Sequence, residues 1–176
     1  MRLPPLPEDQ WDERTQAVLA SFLPPHRLNQ RGAGNALATF VRHPDLIESF
    51  LPFSARLLIN STLPARVREL VILRVAYRTG CAYEWTHHVK IATKVGFSEA
   101  DIEAARRGEA TGELDSVVLT AVEELSDGFN MSDKTWAALS EHLDEHQLMD
   151  LIFTVGAYGL MAMAMNTFGV EPEQER

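Results

Sequence analysis

Cysteine is the scarcest reactive residue in this chain of 176 residues, since it occurs once, at Cys81. A single cysteine excludes a framework of intrachain disulfides. The first residues, Met-Arg-Leu-Pro-Pro-Leu-Pro, also lack the apolar stretch of a secretory signal peptide. A lone thiol without such a signal is typical of a reducing compartment, so we expect a cytoplasmic protein.

Positive charge is scarce as well. The chain has 16 Lys and Arg against 25 Asp and Glu, which gives a formal net charge of −9. Proteins that bind nucleic acid need a clustered excess of basic side chains to neutralise phosphates, and no such cluster occurs here. The composition therefore argues against a nucleic-acid partner, and the acidic balance mainly serves solubility.

Long apolar runs are limited to one, residues 151–168, which has 18 residues without a charge. This length reaches the lower limit for a transmembrane helix. The run contains polar and small residues such as Thr154, Gly156 and Asn166, and acidic residues flank it on both sides. We therefore expect a helix buried in the core or in a subunit interface, and no membrane partner.

Strand signals are also nearly absent, because no segment sustains an alternation of apolar and polar residues. Helix boundaries, in contrast, are marked repeatedly by proline, glycine and capping residues. We expect residues 24–34 to form a loop. The predicted helices cover residues 8–23, 35–42, 44–59, 64–79, 82–95, 98–108, 115–129, 133–142 and 144–168. Because the connections are short and 45% of the residues are hydrophobic, the sequence predicts one all-α domain over 1–176, with about eight helices.

The residues with the most chemical potential lie together at the start of the predicted helix 82–95. Cys81, Glu84, His87 and His88 fall within eight residues. At about 100° per residue, a helix places Cys81, Glu84 and His88 within roughly 60° of one another and turns His87 elsewhere. Trp85 on the same helix indicates that this segment is largely covered by other parts of the protein.

Two interpretations of Glu84 and His88 remain open at this stage. A covered carboxylate at Glu84 would fix the tautomer of His88 and make it a general acid or base near neutral pH. The alternative is an exposed pair without chemical importance. Cys81 is either a small packing residue or, because it lies where a helix begins, a thiol with a lowered pKa.

A metal site is not expected. Glu84 and His88, at positions i and i+4, could share a metal ion, and His87 lies beside them. No further ligand lies at a recognised spacing, however, and the sequence His-Glu-x-x-His is absent. No glycine-rich phosphate-binding loop occurs either. The sequence therefore predicts chemistry without a metal or another cofactor.

The segment that runs from Arg68-Glu69-Leu70 through Glu84-Trp85-Thr-His-His88 to Gly96 resembles the carboxymuconolactone decarboxylase family, which includes the alkylhydroperoxidase D proteins. The resemblance covers about residues 45–128, and the helix at 144–168 would pack onto this core. It implies an all-α fold that assembles into homo-oligomers.

The hydroperoxidase members of this family carry a Cys-x-x-Cys motif, a histidine four residues after the second cysteine and a glutamate twelve before the first. Glu69, Cys81 and His88 match three of these positions, whereas Glu84 replaces the second cysteine. Because this chain lacks the dithiol, disulfide turnover within one site would require an external thiol.

The Glu-Trp-x-x-His form is similar to the decarboxylase-like members, whose namesake removes carbon dioxide from a lactone in aromatic catabolism. The resemblance thus implies a cofactor-free lyase acting on a small carboxylated, lactone-type substrate. His88 would deliver a proton, Glu84 would orient the His88 ring and Glu69 would assist. The substrate contacts that we expect are Trp85, Tyr83 and Arg74.

Two other functions remain compatible with the sequence. A thiol-dependent peroxidase would use Cys81 as its nucleophile, with His88 and Glu69 lowering the pKa of the thiol. A non-catalytic oligomer would keep the pocket for binding alone.

Overall fold

Nine α-helices and two short 3₁₀ turns form the protein in a computed structural model that describes residues 1–110 and 112–174, and this part of the chain contains no strand. The all-α prediction is confirmed, and each of the nine predicted segments corresponds to one of the nine helices in the described residues. The helices are α1 (Glu13–Ala20), α2 (Gln30–Phe40), α3 (Pro44–Ile59), α4 (Ala65–Arg78), α5 (Ala82–Lys94), α6 (Glu99–Arg107), α7 (Glu113–Gly128), α8 (Asp133–Ser140) and α9 (Glu145–Phe168).

The helix boundaries follow the expected boundary residues from α3 onward, except that α7 begins at Glu113 and not at the expected Asp115. Pro44 occupies the first turn of α3, and Gly80 follows α4 with a left-handed φ of 64°. Ser98 and Asp144 each complete a capping box at the start of α6 and α9. Local sequence therefore determines where these helices begin and end.

The predicted helix over residues 8–23 is wrong in its first third. Residues Glu8–Gln10 form a separate 3₁₀ turn, and α1 begins only at Glu13. The side chain of Asp12 accepts a hydrogen bond from the Thr15 amide and caps α1, while Trp11 is buried. A cap at this position ends the upstream turn, because the capping residue has extended backbone angles.

The predicted loop over residues 24–34 is also partly wrong. A 3₁₀ turn covers Pro25–Arg27, and α2 starts at Gln30, where the Asn29 side chain accepts from the Gly32 amide. Gly34 interrupts α2 with a φ of 72°, so only the part after it corresponds to the expected short helix. The left-handed angle requires a residue without a side chain at this point.

Helix α4 lies at the centre of the fold, with α5, α7 and α9 packed around it. Its buried residues include a continuous run, from Glu69 through Leu73, that is almost inaccessible to solvent. Burial of each large aliphatic side chain contributes about 1.5–3 kcal/mol, so this helix is strongly held in place. The fold thereby places the Glu69 carboxylate in its interior.

Helix α9 has an inner face in the core and an exposed outer face, on which Phe153 meets the Phe53 ring of α3 edge-on. It is the one helix among the described residues that is long and apolar enough to cross a membrane, but half of its most apolar window is buried inside the fold. Exposed apolar or small residues recur on the outer face, separated alternately by four and three positions in the sequence. We call these residues the α9 seam: Met149, Phe153, Gly156, Leu160 and Met163.

Candidate active site

The Glu69 carboxylate is held by two cationic or hydrogen-donating groups. Its side chain is 0% exposed, and Oε1 accepts a hydrogen bond from Nε of Arg68 over 3.0 Å. Oε2 lies 2.7 Å from Nδ1 of His88, which is 6% exposed. A buried carboxylate requires such partners, because an unpaired buried charge costs several kcal/mol.

The Glu69 hydrogen bond also assigns the proton on His88. A carboxylate can only accept, so Nδ1 carries a hydrogen and Nε2 is the nitrogen at which the ring gains or loses a proton. The sequence had assigned the orientation of His88 to Glu84. The structure corrects this assignment, because Glu69 from α4 makes the bond.

Glu84 lies in the same interior but has a different environment. Its side chain is 2% exposed, and neither carboxyl oxygen has a hydrogen-bond partner among the described residues. Burial raises the pKa of Glu84 to about 8, which the neighbouring Cys81 thiol opposes only in part. Glu84 is therefore a carboxylic acid that keeps its proton at neutral pH.

The Cys81 thiol is buried beside Glu84, with Sγ 3.9 Å from the Met165 sulfur. Burial, and secondly the Glu84 carboxyl, raises the pKa of Cys81 to about 12. The backbone amides at the start of α5 lower it, as expected for a helix N-terminus, but they do not outweigh burial. This direction is opposite to the lowered pKa that the position in the sequence suggested.

Tyr158 of α9 completes the cluster, and sequence reasoning missed it. Its ring meets the His88 ring edge-on, with centroids 5.1 Å apart. Burial raises the pKa of Tyr158, and the carboxyls of Glu69 and Glu84 raise it further. The only sequence signal was a phenol on the inner face of an otherwise apolar helix, which also fits simple packing.

The other predicted site residues lie apart from this cluster. Trp85 packs its ring against Tyr77, and the Tyr83 hydroxyl donates to Glu173 near the C-terminus. His87 also turns toward Glu173, as the helical spacing predicted. The structure thus brings Cys81, Glu84 and His88 to one face of α5, as expected, and places Tyr83 and His87 on another.

The structure does not bring Arg74 to the cluster. Its Nε donates to Glu123 over 2.5 Å and its Nη1 donates to the Arg106 carbonyl over 2.6 Å, so the side chain joins α4 to α6 and α7. Arg78 is similarly paired with Glu123 and Asp127. Arg68 is the arginine of α4 that reaches Glu69.

The cluster is closed in this conformation. Two surface cavities, of about 450 and 280 Å³, lie elsewhere, one against Asn35 and Glu173 and the other against Thr120 and Thr135. No three His, Cys, Asp or Glu side chains within residues 1–110 and 112–174 are arranged to hold a metal ion. The chemistry that these groups offer is proton transfer between an oriented imidazole and a buried acid.

The raised pKa of Glu84 predicts a loss of stability at high pH. The folded state retains the proton up to about pH 8, whereas an unfolded glutamate loses it near pH 4.3. The contribution to stability is therefore complete below the unfolded pKa and is lost as pH rises through about 8. Between pH 5 and 9, wild type should lose at least about 1.4 kcal/mol more unfolding free energy than Glu84→Gln, measured by urea denaturation.

Glu141→Gln, at an exposed position after α8, is the matched control and should follow the wild-type curve. Parallel pH curves for wild type and Glu84→Gln would contradict a neutral buried Glu84.

Comparison with known proteins supports the fold and the core region. An uncharacterised peroxidase-related protein from Ralstonia eutropha JMP134, described as an alkylhydroperoxidase AhpD core, is 16% identical and has a TM-score of 0.77, over 99% of this chain and 94% of that one. A debrominase in its apo form is 14% identical with a TM-score of 0.75, over 97% and 91%. A protein of unknown function from Agrobacterium tumefaciens is 20% identical with a TM-score of 0.67, over 76% and 94%.

At these identities the likeness shows the fold. No protein with a curated description matches the chain. The sequence profile of the carboxymuconolactone decarboxylase family matches residues 44–127, which is nearly the range that the sequence motifs indicated. This range, which contains Glu69, Cys81, Glu84 and His88, is therefore similar to the carboxymuconolactone decarboxylase family, and the chain has a fold of the alkylhydroperoxidase D type.

Proposed function

We propose that the protein is a cofactor-free lyase that removes carbon dioxide from a small carboxylated, lactone-type substrate. The observation that carries the proposal is the buried hydrogen bond between Glu69 and His88 beside the unpartnered acid Glu84. Similarity to this family supports enzymatic activity of this general class. We also propose a cytoplasmic location, because the single cysteine is a free thiol.

The carboxyl groups of Glu84 and Glu69 have different roles in the proposed reaction. The bond between carbon and the leaving carboxylate breaks, and its electron pair moves into the conjugated carbonyl of the substrate as carbon dioxide departs. Glu84 donates a hydrogen bond to the carbonyl oxygen where negative charge develops. His88, protonated at both nitrogens, delivers the Nε2 proton to carbon while Glu69 stabilises the imidazolium. Water then returns the proton to His88.

Substrate binding requires the packing around the cluster to part, because His88 is only 6% exposed. Trp85 remains a proposed substrate contact on α5, whereas Tyr83 is a weaker candidate than the sequence suggested, since it bonds Glu173 on another face. Arg74 is a weaker candidate than the sequence suggested, since Glu123 and a backbone carbonyl already engage it. Arg68 lies where a substrate carboxylate would meet a cation next to Glu69.

Thiol peroxidase activity at Cys81 is the competing function. Its support is that the thiol lies in the same cluster and that a protein of similar fold is described as peroxidase-related. Fold likeness alone does not select a chemistry, since a debrominase shares this fold as well. Burial and the raised pKa of Cys81 disfavour the thiolate that a peroxidase needs, and we therefore favour the lyase.

The first prediction for the lyase concerns Glu69 and His88. His88→Gln should lower the rate of carbon dioxide release from a carboxylated γ-lactone about a hundredfold or more, a typical loss for a general acid. Glu69→Gln should lower it less, and should add almost nothing in the His88→Gln background, because Glu69 acts through His88. Rates are measured from pH 5 to 9 for both single variants and the double variant, with thermal unfolding as the check on folding.

Glu84→Gln serves as the comparison, because it is expected to lower the rate independently of His88. Additive losses for Glu69→Gln and His88→Gln would show that the two residues do not act as a unit. Full activity in His88→Gln would remove His88 from the mechanism.

Cys81→Ser separates the lyase from the peroxidase. Only the peroxidase uses sulfur as a nucleophile, so the lyase should keep its rate of carbon dioxide release within about threefold, a loss far smaller than that of a missing catalytic group. The same preparation is assayed for consumption of cumene hydroperoxide with dithiothreitol as the reductant. If wild type consumes the hydroperoxide rapidly and Cys81→Ser does not, the lyase proposal loses to its competitor.

We propose further that the protein self-associates through the α9 seam, with a second copy of this chain as the partner. The exposed residues recur with heptad spacing, which is the spacing that packs one helix along another. Gly156 in the middle of the seam lets a second helix approach closely. The seam carries no charge, so an identical face can pack against it in a two-fold arrangement.

Phe153→Glu is expected to break this association, because it places a charge in the centre of an apolar interface. Multi-angle light scattering should give a multiple of 19.7 kDa for wild type and 19.7 kDa for the variant at micromolar concentration. Leu46→Glu on α3 is the control, since Leu46 is 57% exposed, close to the 51% of Phe153, but lies off the seam. A wild-type mass of 19.7 kDa would contradict self-association.

A further inference from the structure

The segment after α9 turns back onto the protein instead of leaving it. Gly169 ends α9 with a left-handed φ of 75°, and the Val170 amide donates to the Met165 carbonyl. The Glu171 carbonyl then accepts from the Asn35 side chain over 2.9 Å. These bonds direct Glu173 toward the junction between α2 and α5.

The Glu173 carboxylate is bound there by three donors from two helices. Oε1 accepts hydrogen bonds from the Asn35 backbone amide over 2.6 Å and from the Tyr83 hydroxyl over 3.2 Å, while Oε2 lies 2.9 Å from Nε2 of His87. Partial burial raises the pKa of Glu173, but the Asn35 amide and the His87 charge hold it below its ordinary value. The three donors therefore form a binding set for an ionised carboxylate.

His87 is fixed between two oxygen acceptors. Its Nδ1 lies 2.8 Å from the Tyr83 carbonyl oxygen, which can only accept. Its Nε2 faces the Glu173 carboxylate, so both ring nitrogens lie next to an acceptor. The ring also stacks on Tyr83 with centroids 4.2 Å apart, so both donors are fixed in position.

Gly34 leaves the room that the carboxylate occupies. A Cβ at this position would stand 2.9 Å from Oε1 of Glu173 and 3.2 Å from the Tyr83 hydroxyl. A cavity of about 450 Å³ opens beside the Glu173 carboxylate, and its lining includes Asn35, which supplies one of the three donors, and Arg31. This volume lies within the range of sites that hold small molecules.

We propose that this is a binding site for a small organic carboxylate, which Glu173 occupies from within the chain when no ligand is present. The ligand carboxylate takes the place of the Glu173 carboxylate on Asn35, Tyr83 and His87. The body of the ligand fills the cavity beside Arg31. None of the proposed catalytic groups contributes to this site, so it goes beyond the proposed reaction.

Competition with Glu173 sets the concentration at which a ligand binds. Glu173 is only four residues beyond the end of α9 at Gly169, so the short tether gives its carboxylate an effective concentration on the order of millimolar. A free carboxylate must reach or exceed this level to displace it in wild type. Removing the Glu173 carboxylate should therefore strengthen binding by about tenfold or more.

The experiment measures benzoate binding by isothermal titration calorimetry to full-length wild type, to Glu173→Gln and to a variant that lacks residues 173–176. Both altered proteins should bind benzoate about tenfold more tightly than wild type. Glu171→Gln is the matched control, because the contact that Glu171 makes with Asn35 uses its backbone carbonyl, and it should behave as wild type. Benzamide, which has the same ring but no charge, should not bind.

A second step tests the donors. In the Glu173→Gln background, Tyr83→Phe and His87→Gln should each weaken benzoate binding about tenfold, since each removes one donor to the charge. Equal affinity of wild type and both Glu173 variants would overturn the proposal. So would equal binding of benzamide, or no benzoate binding by any variant whose thermal unfolding matches wild type. Carbon dioxide release in the His88 series is measured separately and is unaffected by these outcomes.

Discussion

The burial of one charged side chain, Glu69, constrains much of this structure. Helix α4 is central, and its buried residues are apolar except for this carboxylate, which has no access to solvent. An unpaired charge there would cost several kcal/mol, so the fold has to supply partners from within the core. Arg68 and His88 are those partners. The need to satisfy Glu69 therefore fixes how α5 packs against α4, and thereby where Glu84 and Cys81 lie.

Glu69 and Glu84 lie in the same interior but differ in their hydrogen bonding. Glu69 has a hydrogen bond at each oxygen, and Glu84 has none at either oxygen among the described residues. Environments that push two carboxyl groups toward opposite protonation states are a recurrent means of providing an acid and a base at one pH. Tyr158 adds a phenol to this buried cluster, which also holds His88 and Cys81. Such a buried cluster strengthens each electrostatic interaction within it, which favours chemistry in which charge develops on a bound substrate.

Local sequence predicted the parts of this arrangement that depend on local geometry. Proline and glycine located α3, α4 and α5, and helical spacing alone grouped Cys81, Glu84 and His88. What it missed depends on contacts distant in sequence. The partner of His88 is 19 residues away on another helix, and Tyr158 comes from α9. The position of Cys81 at the start of a helix left a lowered thiol pKa open beside a simple packing role, whereas burial, which sequence does not measure, raises that pKa.

Helix α5 connects the two clusters, because consecutive positions on a helix point about 100° apart. Glu84 and His88 face the core, while Tyr83 and His87, each one residue earlier, face the Glu173 carboxylate. The two residues of each pair are one helical turn apart. The bond of Glu69 to His88 on one face and the contact of Glu173 with His87 on the other therefore hold the same segment of α5, and both help to fix the position of this one helix.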